Sequence, residues 1–158
     1  MANVALNTLN FENVLTTGAF NIAGNVNMYE LGQLPDGSYS PIFTNPNPAN
    51  IQCDQDAIVR FEWQQAGILT QMLTGVWKCD VFFELMGPNE GPTIAPGTVS
   101  FLTGANPHTY VVDVKLPAGN IIEGIYRVTA RLMLSPIKGT FSPVCAFTDL
   151  GLCEYFNG

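Results

Sequence analysis

The sequence contains few residues whose chemistry suits catalysis. Its single histidine, His108, follows Asn106-Pro107 at the predicted entrance to a strand, and no serine or cysteine stands nearby in a recognisable nucleophile elbow. A general base or a nucleophile needs a partner of complementary chemistry within hydrogen-bond reach. A lone histidine is more typical of a structural or surface position. We therefore expect no enzymatic activity and no catalytic residue.

Two carboxylates at the end of the N-terminal third have metal-binding chemistry. Asp54 and Asp56 point to the same side of an extended chain, and clustered carboxylate oxygens are ligands that calcium prefers. Asp80, Asp113 or Asp149 would have to complete such a site. A pair spaced by one residue is a weak signal, and a solvated strand edge explains it better. We expect neither metal nor cofactor, with Asp54 and Asp56 as the weak candidates for a metal site.

The cysteines permit two interpretations. Cys53, Cys79, Cys145 and Cys153 are even in number but do not have zinc-ligand spacing, so they are either buried thiols or disulfide partners. If Asp149-Leu150-Gly151 forms a tight reversal, Cys145 and Cys153 stand opposite each other on a hairpin, within disulfide range. If the strand runs straight, they lie roughly 26 Å apart at about 3.3 Å per residue and cannot bond.

Charge is sparse and unevenly distributed along the chain. Only 12% of the residues are charged, against roughly a quarter in a typical soluble domain, and Arg60 is the first basic residue. The net charge of −7 disfavours nucleic-acid and anionic membrane partners, which need a Lys/Arg footprint. No apolar run reaches the roughly 20 residues that cross a bilayer, so we expect no membrane insertion.

The first residues lack the basic and continuous apolar regions of a secretory signal. This favours a cytoplasmic location, or an extracellular one if the chain is a mature fragment.

Alternation of apolar and polar residues predicts strands from residue 51 onward. The pattern appears in residues 57–63, 77–85, 110–116 and 126–134. Clusters of Gly, Pro and Asn separate these segments, which is typical of an antiparallel sandwich or barrel with one wet face per sheet. We predict an all-β antiparallel sandwich domain over residues 51–158. Residues 67–75 are either one short helical turn or an apolar loop.

Residues 1–50 differ from the rest and predict an extended N-terminal arm. They contain three charged residues, Glu12, Glu30 and Asp36, and end in a Pro/Asn-rich connector. Within the arm, four apolar residues share one parity around Gly24, which predicts a half-buried strand. These four residues and Phe82, an apolar ring on the charged side of its predicted strand, are our candidates for an interface: Phe20, Ile22, Val26, Met28 and Phe82. We expect the arm to fold over Phe82.

A short segment resembles one fold. Glu123-Gly124-Ile125-Tyr126-Arg127-Val128 is similar to the start of the sixth strand of immunoglobulin-like sandwiches, where a tyrosine bonds upstream backbone. The resemblance covers roughly residues 51–156 and implies a core tryptophan, either Trp63 or Trp77. Val128 stands where an antibody domain has its second cysteine, so the inter-sheet disulfide is not carried over. A fold of this kind implies no particular function.

We therefore expect a non-enzymatic protein-interaction or self-assembly module, with a protein partner or a homo-oligomer as its complex. Its arm would pack on a sheet edge of its own domain or of a neighbouring copy, because edge strands present unpaired backbone groups. The alternative is a sandwich that binds carbohydrate or another ligand, with or without calcium, on aromatic platforms. The candidate platforms are Tyr29, Tyr39, Trp63 and Trp77.

Overall fold

A computed structural model describes residues 7–13, 18–31, 39–42, 49–135 and 144–158. In this part of the chain, two sheets pack face to face as an all-β sandwich, which confirms the predicted fold class. No helix within the described ranges is long and apolar enough to cross a membrane. The strands are β1 (Asn7–Thr8), β2 (Asn10–Asn13), β3 (Asn21–Leu31), β4 (Tyr39–Ile42), β5 (Ala49–Gln52), β6 (Ala57–Ala66), β7 (Val76–Leu85), β8 (Gly97–Ser100), β9 (His108–Leu116), β10 (Gly124–Ser135) and β11 (Val144–Phe156).

The first sheet has the order β1-β3-β6-β9, and β4 pairs with β3 beside β1. The strand predicted around Gly24 is β3, which pairs with β6 of the same chain from Asn21 opposite Ala66 to Glu30 opposite Ala57. The two strands pair over ten residues because apolar and polar residues alternate in both. In this register the apolar side chains of β3 and of β6 face the same side of the sheet. The division of the chain at residue 50 into an arm and a domain stays a prediction.

The second sheet has the order β2-β11-β10-β7-β8. Its pairs are antiparallel apart from β5, which runs parallel to β11 from Ala49 opposite Cys153 to Gln52 opposite Phe156. Segments before residue 52 therefore contribute strands to both sheets. A bulge between Val128 and Thr129 leaves Leu150 of β11 without an opposite residue, and Gly151 beside it has φ 85°. A positive φ of this size suits glycine.

The core lies between the sheets and includes both tryptophans. Trp63 and Trp77 are buried with ring centroids 5.5 Å apart in an edge arrangement, and Trp63 stacks on Tyr110 at 5.0 Å. Full burial of a large apolar side chain stabilises a fold by roughly 1.5–3 kcal/mol. Both tryptophans therefore belong to the core, and which of them corresponds to the core tryptophan of an immunoglobulin-like sandwich stays open.

The hairpin on which a Cys145–Cys153 disulfide depends is not formed. β11 runs through both residues, with Cys145 opposite Met133 and Cys153 opposite Tyr126. The Asp149-Leu150-Gly151 segment produces the bulge and not a reversal, because β10 pairs with β11 on both sides of it. All four cysteines are free thiols. Of the alternatives for residues 67–75, a single 3-10 turn occurs at Ile68–Gln71.

Candidate interaction surface

The outer side of the second sheet differs from that of the first in its exposed apolar side chains. Alternation along the strands places one set of side chains towards the core and the other set outside. We define the second-sheet face as the outward side chains of its three long strands. These are Val76, Lys78, Asp80, Phe82 and Glu84 of β7, Ile125, Arg127, Thr129, Arg131 and Met133 of β10, and Cys145, Phe147, Asp149, Leu152 and Glu154 of β11.

Exposed apolar side chains are concentrated on this face. Eleven large apolar side chains are exposed within the described residues, and five of them belong to the second-sheet face: Val76, Phe82, Ile125, Phe147 and Leu152. The outer side of the first sheet has one, Val111. Exposed large apolar side chains are thus unevenly divided between the outer sides of the two sheets, and a concentrated set is a candidate for an interface.

Ion pairs within the sheet neutralise much of the charge on the face. The Arg131 guanidinium donates to Asp80 at 3.0 Å from Nε and 2.7 Å from Nη2, and Lys78 Nζ lies 3.6 Å from the same carboxylate. Arg131 also lies over the Phe82 ring, 5.1 Å from its centroid. Cross-strand register explains both contacts, since Arg131 is opposite Asp80 and Thr129 is opposite Phe82. One arginine thus holds an acid and an aromatic ring in fixed positions.

A second ion pair stands on the other side of β10. Arg127 Nη2 donates to Asp149 Oδ2, and the Gly151 backbone N–H donates to Asp149 Oδ1 at 2.8 Å. The Arg127 hydrogen bond, followed by that from Gly151, lowers the pKa of Asp149 below its ordinary value. The bulge makes the second bond available because it turns the Gly151 N–H towards the carboxylate. Asp149 is therefore held as an oriented anion.

A shallow groove of about 480 Å³ runs between this ion pair and β2. Its apolar part consists of Phe11 and Phe147, and its polar part includes Glu12, Glu84 and the Arg127–Asp149 pair. A ring beside fixed donors and acceptors suits a ligand with one apolar and one polar side.

The outer side of the first sheet is more polar and has its own ion pair. Arg60 donates to both carboxylate oxygens of Asp113, at 2.8 and 2.9 Å, and lies 5.5 Å from the centroid of the Tyr29 ring. Ile58 lies on this outward side but is buried.

The structure separates the predicted interface residues. Phe20, Val26 and Met28 are buried in the chain's own core and Ile22 packs partly against it, all four between the sheets. Phe82 lies outside on the opposite sheet and is 45% exposed. Among the described residues, β3 lies in the first sheet and does not cover Phe82, and the contact over the ring comes from Arg131. That the rest of the arm folds over Phe82 stays a prediction.

The other candidate residues lie apart from this face. Asp54 and Asp56 are exposed, and Asp56 Oδ1 accepts the Ala118 N–H at 2.8 Å. Among the described residues, no three His, Cys, Asp or Glu side chains lie close enough to hold a metal ion. His108 contacts Tyr110 edge-on, with 4.6 Å between ring centroids.

The thiols have the properties of structural cysteines. Burial raises the pKa of Cys153 to about 12 and raises that of Cys79 further. Burial is also the largest cause of the raised pKa of Cys53 and Cys145. A thiol with a raised pKa is protonated at neutral pH and is a poor nucleophile.

Sequence reasoning missed Phe147, Arg127, Arg131 and Asp149 as members of this surface. The alternation of residues 144–149 resembles that of the other strands and would have placed Phe147 and Asp149 on one side. Their position beside β10 depends on the pairing of β11. Comparison with known proteins adds no relative: no family model matches the chain, and no curated protein matches it with statistical significance.

Proposed function

We propose that the protein is a non-enzymatic protein-interaction or self-assembly module and that the second-sheet face is its binding surface. The observation that carries this proposal is the set of exposed apolar side chains on that face, with Phe82 and Phe147 on the two sides of β10. Aromatic and arginine side chains are enriched in protein interfaces, where a few residues supply most of the binding energy. The second-sheet face contains both types, with Arg127 and Arg131 on the strand between the two phenylalanines.

The internal ion pairs make the face suitable for burial. An unpaired charge that loses water without gaining a partner destabilises a complex strongly. Arg131 and Arg127 already have carboxylate partners within their own sheet. A partner can therefore cover Arg127 and Arg131 without supplying a compensating charge for either of them.

We further propose an immunoglobulin-like arrangement for the sandwich. Support comes from Tyr126, whose hydroxyl donates to the Ile122 carbonyl at 2.9 Å, and from β10 lying between β7 and β11 in the second sheet. This arrangement by itself implies no function.

In the proposed module, the N-terminal arm packs on its own chain. Support comes from the ten opposed residue pairs between β3 and β6, and from β2, whose Phe11 lies opposite Ala146 of β11. Exchange with a neighbouring copy would break and remake this whole register. We therefore place the contact between copies on the second-sheet face.

The test is the native mass of the protein over a wide concentration range. We expect the average mass to rise with concentration, and Phe82→Ser and Phe147→Ser to lower the association constant at least tenfold. Val111→Ser is the matched control, because it removes an exposed apolar side chain from the other sheet. A wild-type protein with the monomer mass at every concentration would contradict self-assembly, and equal effects of all three substitutions would contradict the assignment to this face.

The groove favours a second candidate function, the binding of a saccharide or a similar polar ligand. Its support is the Phe147 ring beside the Arg127–Asp149 pair. The platforms expected at Trp63 and Trp77 are wrong, since both rings are buried. Glycan-array binding that Phe147→Ser abolishes would favour this function, and repetition with EDTA would show whether calcium takes part.

A further inference from the structure

The last strand of the first sheet, β9, has one side without a neighbouring strand. It pairs with β6 and, among the described residues, with no other strand. The free side of an edge strand presents backbone N–H and carbonyl groups to which a further strand can bond. Which residues of β9 present these groups follows from the hydrogen bonding across the sheet.

A bond at the far side of the sheet identifies them. The Leu9 N–H donates to the Gly24 carbonyl at 2.9 Å, so Gly24 directs its backbone groups towards the side of β1. Directly opposed residues of an antiparallel pair alternate between bonded and non-bonded pairs. Trp63, opposite Gly24, therefore bonds to β9, and Tyr110, opposite Trp63, bonds to β6. The odd-numbered residues of β9 consequently direct their backbone groups to the free side.

Four residues make up this free side, and we name them the β9 edge: Thr109, Val111, Asp113 and Lys115. No hydrogen bond joins their backbone groups to any other residue within the described ranges. The next odd-numbered positions are Pro107 and Pro117, which have no N–H. The β9 edge thus offers four N–H groups and four carbonyls. An extended peptide backbone presents acceptors and donors at the same two-residue spacing.

A groove runs along the second half of the β9 edge. Its volume is about 460 Å³, and it is lined by Asp113, Lys115, Pro117 and the loop at residues 93–97. This loop lies close to β9, since a Cβ atom on Gly97 would stand 2.7 Å from Val112 Cγ1. The groove therefore has a polar floor of unpaired backbone groups and a wall formed by the loop.

Lys115 gives the groove an available positive charge. The other four Lys and Arg side chains of the described residues lie within ion-pair distance of a carboxylate, whereas Lys115 does not. The acids nearby already have partners. Asp113 accepts from Arg60 through both oxygens, and Asp56, in the hollow beside the groove, accepts the Ala118 N–H. The Lys115 ammonium is thus free to bind a carboxylate from outside.

We propose that the β9 edge binds an extended segment of a partner protein, which adds a strand to the first sheet and places an acidic side chain beside Lys115. The backbone groups of the edge bind the segment, and Lys115 selects its acid. Val111, which is 55% exposed in the middle of the edge, favours a β-branched or aromatic residue opposite it. This site goes beyond the proposed function, because it lies at the edge of the first sheet and not on the second-sheet face.

The charges favour such a segment over a second copy of β9. Only one antiparallel register pairs all four edge residues of two copies, and it places Lys115 opposite Thr109 and Val111 opposite Asp113. A register that places Lys115 opposite Asp113 pairs only two of the four, and Asp113 already binds Arg60. Two copies also repel one another through their net charge of −7 each. A segment with Asp or Glu at the matching position pairs the whole edge and neutralises Lys115.

Hydrogen exchange tests the free edge. In the protein alone, the N–H groups of Val111, Asp113 and Lys115 should exchange at least tenfold faster than those of Val112 and Val114, which bond to β6. Equal exchange along the strand would show that the edge is closed, and the proposal would fail.

The binding probe is a phage-displayed library of random peptides about eight residues long, a usual upper length for a strand, with the whole chain as target. We expect the selected peptides to have Asp or Glu at one fixed position among β-branched and aromatic residues. A synthetic peptide of the selected sequence should slow exchange of the Val111, Asp113 and Lys115 N–H groups. Lys115→Gln should lower its affinity at least tenfold. Lys78→Gln is the matched control, because it removes the same charge from the second-sheet face, and should leave the affinity nearly unchanged.

Val111→Pro is a second, independent variant. It removes an N–H group that no described residue accepts, so the bonds between β6 and β9 remain. We expect it to abolish binding of the selected peptide, and circular dichroism checks that the variant is folded. Retained binding in a folded Val111→Pro variant would exclude strand addition at this edge.

The remaining outcomes also overturn the proposal. Selected peptides without a fixed acid, or equal losses in Lys115→Gln and Lys78→Gln, would remove the role of Lys115. Protection of the same N–H groups that rises with protein concentration, without peptide, would make a second copy the occupant. Peptide binding that Phe82→Ser abolishes and Lys115→Gln does not would place the peptide on the second-sheet face. The native-mass test of Phe82→Ser does not depend on Lys115, so the failure of one proposal is distinguishable from the failure of the other.

Discussion

The Tyr126 hydroxyl donates a hydrogen bond to the Ile122 carbonyl, 2.9 Å away and four residues upstream. Tyr126 is buried, and burial raises its pKa, so the hydroxyl stays protonated and able to donate. The bond fixes the backbone at the start of β10. This strand lies between β7 and β11 in the second sheet.

Tyr126→Phe should therefore destabilise the protein by about 1 kcal/mol, the usual net value of such a bond. Tyr155→Phe is the matched control, because the Tyr155 hydroxyl is buried and has no hydrogen-bond partner among the described residues. Removal of an unsatisfied group should leave stability unchanged or raise it. Urea unfolding of both variants measures the difference, and a larger loss in Tyr155→Phe would contradict the assignment.

Gln65→Leu should destabilise the protein by about 3 kcal/mol, because it leaves the Leu102 and Ala105 carbonyls and the Tyr110 hydroxyl without their partner. Hydrogen exchange in residues 101–106 should accelerate more than elsewhere. Gln64→Leu, an exposed neighbour, serves as the control. Similar exchange in the two variants would show that the amide does not hold the loop at residues 101–106.

Gly24→Ala should weaken the pairing of β3 with β6. A Cβ atom on Gly24 would lie 2.6 Å from the Glu62 carbonyl oxygen and 2.6 Å from Trp63 Cβ, so one strand must shift at a cost of about 2 kcal/mol. Ala23→Ser, at the exposed neighbouring position, should change stability by less than about 0.5 kcal/mol. Thermal unfolding measures both, and equal melting temperatures would argue against the close approach.

The four thiols should react in two classes. Cys79 and Cys153 are buried with strongly raised pKa values, whereas Cys53 and Cys145 are partly exposed. At neutral pH we expect an alkylating reagent to modify Cys53 and Cys145 first and the other two only after unfolding. The intact mass should be the same with and without reductant. A difference of two hydrogens would reveal a disulfide and contradict the free thiols.

The Arg127–Asp149 pair should give a small acid-dependent contribution to stability. The pKa of Asp149 is lowered in the fold, so its contribution is present above the unfolded pKa and disappears as the pH falls through the folded value. Both side chains are about half exposed, so solvent weakens the effect. Asp149→Asn should flatten stability against pH in the acid range, which denaturant unfolding at several pH values would show. An unchanged profile would contradict the linkage.

The alternation of apolar and polar residues predicted the positions of strands but not their pairing. Residues 57–63, 77–85, 110–116 and 126–134 all lie in strands at the predicted parity, because the period-two repeat is a property of neighbouring residues. Cys145 and Cys153 show the limit, since either a hairpin or a straight strand fits the same residues. Phe82 shows the same limit. The alternation of its strand predicts that the ring points outward, but it does not predict the Arg131 side chain over the ring.

The sequence by itself determined the all-β character, the strand around Gly24 and the outward direction of Phe82, since alternation and turn residues act over a few positions. Only the tertiary structure decided that β11 runs straight through its bulge, that both tryptophans share the core, and that Phe147 joins Phe82 on one face. It also joined the loops at residues 18–20, 67–75 and 101–107 through hydrogen bonds. Register and strand order depend on contacts between residues far apart in the chain, so the alternation of neighbouring residues does not determine them.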